Sequence, residues 1–304
     1  MLPTRIDRRD LFVFAAGGAL ASCRTPRPAS ARSPSAAIAG LERNGRLGVA
    51  VLDLGSGTID GHRVDERFAM CSTFKLVLAA MVLQGAATGA GALDATVALG
   101  ETDLVGHAPI TRALLSAAVA SGERSVAVSF GTLAHAAQTA SDNAAANVLL
   151  REFGGPAAFN AFCRAHGDAT TRLDRYEPEM NDVRPGDARD TTTPRAMACL
   201  VGDLLGGHGL APAARATLRA WMIATETGAA RVRRGLPRQW IAGDKTGTGG
   251  GSCTVKVNDV VWIEPPERAP LVVAAYYDTD TVAEWPNDEQ QAVLAEVGRV
   301  VASA

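Results

Sequence analysis

Apolar and polar positions alternate through RLGVAVLDL (46–54), the two-residue period of a strand, and GSG (55–57) then turns the chain toward a second extended segment ending near Ala69. A short helical pattern in AAIAGLERNG (36–45) precedes this hairpin. From Ser72 to about Met222 the spacing changes to that of helices, as in TRALLSAAVAS (111–121), FGTLAHAAQTASDNAAANVLLREF (130–153) and TPRAMACLVGDLL (193–205). Strand signals return in QWIAGDKTGT (239–248), NDVVWIEP (258–265) and LVVAAYYDTD (271–280), and a helical stretch from Asp288 to Val301 closes the chain. The pattern predicts an α/β fold in which residues 36–70 and 223–304 form one unit and residues 71–222 an all-helical insertion. No internal repeat interrupts it. The most irregular stretch is GDATTRLDRYEPEMNDVRPGDARDTTTP (167–194), and a polar loop of that length inside a compact domain is either disordered or functional.

The first residues follow a different pattern. Arg5, Arg8 and Arg9 precede the uncharged run LFVFAAGGALAS (11–22), too short to span a bilayer but suited to the apolar region of a secretory signal. Residues 1–23 are therefore expected to direct export to the periplasm, with the Arg8-Arg9 pair fitting the twin-arginine route and the flanking Asp7 and Asp10 the ordinary one. LASC, ending at Cys23, resembles a bacterial lipobox and offers that cysteine for a lipid anchor; cleavage after Ala31 is the competing reading. Residues 24–35, RTPRPASARSPS, read as a disordered tether.

Composition narrows the chemistry. With 304 residues, 47 % of them hydrophobic, the chain can bury a full core, and 30 basic against 32 acidic residues leave no charge excess with which to hold nucleic acid or an anionic membrane. A small-molecule partner and a monomer are expected. The cysteines (23, 71, 163, 199 and 253) show no zinc-binding pairs, and no two of the histidines (62, 107, 135, 166 and 208) share a helical face, so neither a metal nor another cofactor is expected.

Ser72 and Lys75 in CSTFKLVLAA (71–80) are three residues apart at the start of a helical stretch, so their hydroxyl and amine share a face. A serine hydroxyl attacks well only beside a base and an oxyanion-stabilising site; Lys75 offers the first, and the free N–H groups of a helix start favour the second. Alone, the quartet is weak. Ser141–Asn143 (SDN) adds a hydroxyl able to relay a proton and an amide able to hold a carbonyl, and DKTGTG (244–249) adds Lys245 on a strand whose Gly247 and Gly249 let a ligand lie against the backbone. S-x-x-K, S-D-N and K-T-G in this order characterise class A β-lactamases and penicillin-binding proteins.

RYEPEMN (175–181) resembles the omega-loop signature of class A serine β-lactamases, a likeness that extends over about residues 36–303. The resemblance implies an antiparallel five-stranded sheet flanked by the terminal helices, an inserted helical domain with the omega loop near 172–190, an Arg175–Asp190 ion pair at the neck of that loop, and a cis Glu177–Pro178 bond. It implies hydrolysis of β-lactam antibiotics through a Ser72 acyl-enzyme. The proton would pass to Lys75 or, through a water, to Glu177; Ser72 and Thr248 N–H groups would hold the oxyanion. Ser141, linked to Lys75 and Lys245, would protonate the leaving nitrogen, Asn143 would bind the substrate side-chain amide, and Glu177 with Asn181 would position the deacylating water. Thr246, Thr248 and Arg231, the last in TGAARVRRGLP (227–237), would bind the substrate carboxylate. His107 in DLVGHAPIT stands where the family has an aromatic residue, and GGSCTVK (250–256) departs from the family pattern. Two other readings are a D-Ala-D-Ala carboxypeptidase and a covalent β-lactam sensor; Glu177 argues against both, since each depends on slow deacylation. Cys71 reads either as a buried free thiol or as one half of a bridge to Cys253.

Overall fold

The computed structural model describes residues 34–89, 92–184, 186–251 and 253–304. The signal, Cys23 and nearly all of the expected tether lie outside them. In chain order the elements are α1 (Pro34–Ala39), β1 (Gly45–Asp53), β2 (Ile59–His62), β3 (Phe68–Ala69), a 3-10 turn at Cys71–Thr73, α2 (Phe74–Thr88), β4 (Thr96–Gly100), α3 (Pro109–Ala120), β5 (Ser125–Ser129), α4 (Phe130–Thr139), α5 (Asn143–Glu152) and α6 (Gly155–Ala165). There follow β6 (Thr191–Thr192), α7 (Pro194–Gly206), α8 (Pro212–Ile223), α9 (Val232–Gly235), β7 (Ile241–Gly249), β8 (Thr254–Glu264), β9 (Leu271–Val282) and α10 (Asp288–Ala302).

One five-stranded sheet, in the order β2-β1-β9-β8-β7, organises the chain, and every neighbouring pair is antiparallel. Both faces are covered, which explains why LVVAAYY reads as a continuous apolar run. Leu271, Val273, Ala275 and Tyr277 pack toward α1 and α10, while Val272, Ala274 and Tyr276 face the helical layer. At the centre of that layer α2 buries nine of its residues, Lys75 among them. Cys71–Thr88 has the length and apolarity of a membrane span, and its burial supplies the reason: the helix is packed on all sides.

Three sequence expectations are corrected. Pro34 and Ser35, expected in the tether, belong instead to α1. The insertion is not wholly helical: within it β4 pairs with β5, and β6 pairs with β3 just before it, and the short strands β4, β5 and β6 lacked sequence signals. Residues 130–153 are two helices rather than one, divided where Ser141 adopts φ 57° and Asp142 caps α5.

Candidate active site

The nucleophile's turn is held against the edge strand β7. Gly247 and Gly249 face it, and a Cβ at Gly247 would lie 2.6 Å from Met70 O, one at Gly249 2.9 Å from Cys71 Sγ; glycine is what lets strand and turn meet. Asn258 of β8 donates to Ala69 O and Met70 O at 2.8 and 3.2 Å, pinning the same turn. Cys71 takes φ 45°, a strained value for a non-glycine residue, directly before Ser72.

The structure brings Ser72, Lys75, Ser141, Asn143, Glu177 and Lys245 into one network. Lys75 Nζ donates to Ser72 Oγ at 2.9 Å, to Ser141 O at 2.9 Å and to Asn143 Oδ1 at 2.5 Å, and lies 3.0 Å from Glu177 Oε1. Ser72 Oγ donates to Glu177 Oε1 at 2.9 Å. The hydroxyl and the carboxylate meet directly, both beside the same ammonium. Asn181 Nδ2 reaches Glu177 Oε2 at 2.5 Å, and Lys245 Nζ donates to Ser141 Oγ at 3.0 Å. The loop that delivers Glu177 is closed by Arg175 Nε on Asp190 Oδ2 at 2.6 Å, and the Glu177–Pro178 bond is cis.

Burial sets the electrostatics. It is the strongest influence on Lys75 and pulls its pKa below the ordinary lysine value, against the opposing pull of Glu177. Burial pushes Glu177 up, but the Lys75 charge and hydrogen bonds from Lys75, Asn181 and Ser72 outweigh it and hold the carboxyl below its usual range. Lys245 is drawn well below the ordinary value by burial and by the nearby Lys75 ammonium. A base beside a hydroxyl, a depressed lysine and an ionised carboxylate together form the apparatus of serine acyl transfer.

Above the network opens a cavity of about 670 Å³ lined by Ser72, His107, Asn143, Arg231, Thr246 and Thr248 among others. Arg231 turns inward and is 4 % exposed, donating to Gly247 O (2.9 Å), Asn258 O (2.7 Å) and Thr248 Oγ1 (2.6 Å). Thr246 Oγ1 is 2.6 Å from Thr227 Oγ1. His107 stands exposed at the mouth, its Nε2 3.1 Å from Ala140 O. Cys71 and Cys253 carry free thiols, and burial raises the Cys71 pKa, leaving it protonated and inert.

The sequence profile of the beta-lactamase enzyme family matches residues 34–304. The chain belongs to that family, class A. It is 40 % identical to beta-lactamase CTX-M-25 of Escherichia coli over 97 % of each chain, and 41 % identical to beta-lactamase L2 of Stenotrophomonas maltophilia over 95 % of this chain and 91 % of that one. Among solved structures, an ancestral (GNCA) class A beta-lactamase superposes with a TM-score of 0.81 at 48 % identity, covering 88 % of this chain and 98 % of that one. A putative class A beta-lactamase, PenP from Rhodopseudomonas palustris, superposes equally well, with a TM-score of 0.81 at 44 % identity.

Several residues of this beta-lactamase site escaped the sequence reading. Asn147 grips the Glu177 backbone from both sides, its Nδ2 donating to Glu177 O (2.7 Å) and its Oδ1 accepting from Glu177 N (3.0 Å). Its spacing of four from Asn143, on an otherwise apolar helix face, was the available signal. Beneath Arg231 lie the buried Asp244 and Asp259 and the partly buried Arg233, whose Nε is 2.6 Å from Asp244 Oδ2. Nothing in their spacing announced the arrangement.

Proposed function

We infer that this chain hydrolyses the β-lactam ring of penicillin- and cephalosporin-type antibiotics through a Ser72 acyl-enzyme, and so confers resistance to them. The observation that carries the reading is the convergence of Ser72, Lys75 and Glu177 on one another within 3.0 Å in a closed, buried network. Ser72 Oγ loses its proton to Lys75 or Glu177, both in direct contact with it, and attacks the ring carbonyl. The oxyanion that forms lies between the Ser72 N–H, at the start of a helical turn, and the Thr248 N–H on the edge strand β7. Ser141, linked to Lys245 and through its carbonyl to Lys75, passes a proton to the departing ring nitrogen. Asn143 takes the side-chain amide, and Arg231 with Thr246 and Thr248 takes the carboxylate. Glu177 and Asn181 then direct water onto the ester and release the product.

Mixing the protein with a chromogenic cephalosporin tests this. Many turnovers per molecule are expected, whereas a single stoichiometric burst would identify a sensor and cleavage of D-Ala-D-Ala peptides alone a carboxypeptidase.

We also propose export to the periplasm, anchorage there by a lipid on Cys23, and action as a monomer; the basic-then-apolar pattern of residues 1–23 and the LASC motif support the first two. Mass spectrometry of the mature N-terminus, and light scattering of the protein lacking residues 1–23, test these points. Retention of residues 1–23 would overturn export, a free N-terminus after Ala31 the lipid anchor, and a dimer the monomer.

A further inference from the structure

One end of the cavity is built by residues to which the mechanism gives no role. A Cβ at Gly250 would lie 2.4 Å from Ala283 O and 2.5 Å from Glu284 O, so the segment after β9 rests directly on the glycine backbone. Gly251 N–H secures it by donating to Ala283 O at 2.8 Å. This close approach carries Glu284 and Trp285 to the cavity wall, where the indole is 60 % exposed. Among the described residues Glu284 has no ion-pair partner, whereas Asp182, on the same wall, lies 3.9 Å from Arg184.

The cavity therefore has two unlike ends. At one, Thr227, Arg231 and Thr246 gather donors suited to a carboxylate. At the other, Asn181 and Asp182 of the omega loop meet Gly249–Gly251 and Trp285, with Asn181 O 3.6 Å from the Cβ position of Gly249. A penicillin carries its carboxylate and its acylamino group on opposite sides of the bicyclic nucleus. Anchoring the first at Arg231 sends the second toward Trp285.

We propose that Trp285 determines specificity: its indole is a platform for an aromatic ring on the acylamino side chain, and Glu284 beside it favours side chains bearing an ammonium group next to the ring over side chains bearing a carboxylate there. The inference rests on the β-lactamase reading above. Aromatic rings pair with indole in offset or edge-on geometry, and the partner also removes the exposed indole face from water.

Four substrates with one nucleus separate the effects: 6-aminopenicillanic acid, which has no acyl group; benzylpenicillin; its α-amino derivative ampicillin; and its α-carboxy derivative carbenicillin. Trp285→Ala should lower kcat/KM for benzylpenicillin and ampicillin by about 5- to 20-fold while changing it less than twofold for 6-aminopenicillanic acid, and Trp285→Phe should recover most of the loss. Glu284→Gln should reduce the ampicillin-to-carbenicillin ratio of kcat/KM by about 2- to 5-fold. Trp285 is largely exposed, so neither substitution endangers the fold, and an unchanged thermal midpoint checks this. Equal losses on all four substrates, or no loss on benzylpenicillin, would overturn the platform; an unchanged ratio in Glu284→Gln would overturn the charge preference. Failure of the unsubstituted protein to turn over benzylpenicillin would instead overturn the reading on which the inference rests.

Discussion

Ser72, Lys75 and Asn181 all address the Glu177 carboxylate, so removing it affects the two halves of the reaction unequally. In Glu177→Ala, Lys75 loses the neighbour that opposes its depression by burial, and its amine becomes neutral at lower pH. A base for acylation then remains while the group that directs water is gone. Acyl-enzyme should accumulate, visible by intact-protein mass spectrometry after mixing with a penicillin; an unmodified protein or turnover at the parent rate would refute the role. Ser72→Ala should give no adduct. Arg231 invites a different measurement. Charge-assisted hydrogen bonds to a carboxylate are worth about 1.5–3 kcal/mol, so Arg231→Ala should lower kcat/KM for a penicillin by about 10- to 150-fold. Arg234 is exposed and does not line the cavity, so Arg234→Ala should do much less. A change within twofold for Arg231→Ala would mean that another group holds the carboxylate.

The break between α4 and α5 shows how local chemistry places a reactive residue. Asp142 caps α5 by accepting from Ala145 N at 2.9 Å, and the same buried carboxylate accepts from Ile110 N, Thr111 N and Thr111 Oγ1 at the start of α3. It therefore fixes Ser141 and Asn143, its immediate neighbours, relative to two helices. Asp142→Ala should destabilise the protein by about 2–4 kcal/mol, combining a lost cap with unsatisfied buried donors. It should also slow acylation, which a thermal midpoint and burst kinetics measured together would reveal; an unchanged midpoint would deny the cap its importance. The three motifs were legible because each pairs reactive residue types at fixed short spacing, and the main strands and long helices because their apolar periods are clear. The α4–α5 break was hidden inside an unbroken helical pattern, since a positive φ at a serine leaves no mark in hydrophobicity. The strands β4, β5 and β6 were hidden because two- to five-residue pairings depend on partners elsewhere in the chain. Trp285 and the Asp244–Asp259 cluster were illegible for the same reason: the fold brings them to the site from positions far along the chain.

At the scale of the whole molecule, buried and surface carboxylates oppose one another in setting stability against pH. Asp244 on β7 and Asp259 on β8 are buried diagonal neighbours on paired strands, Asp259 lying opposite Thr246. Burial pushes Asp244 up to about 6, against the lowering influence of Arg233, and raises Asp259 well above its usual range, with the Asp244 charge adding to the effect. Between the ordinary value and the folded one, the native protein binds more protons than the unfolded chain, so stability falls as pH rises through that window. Glu42 behaves in the opposite way. Its hydrogen bond from Arg63 holds it down to about 2, so its contribution is complete above its unfolded value and is lost as pH falls toward 2. Glu177, also depressed, acts in the same sense. Lys75 and Lys245, lowered by burial, act in the same sense as Glu42, adding stability as pH rises from their folded values toward the ordinary lysine value. Stability should therefore peak at about pH 4, where the gain from Glu42 and Glu177 is nearly complete and the loss through Asp244 and Asp259 begins. Thermal midpoints measured from pH 3 to 7 should rise and then fall, and Asp244→Asn should flatten the descent from about pH 4 to 6. A parent protein more stable at pH 7 than at pH 5 would show that the two aspartates do not carry the protons that their burial demands.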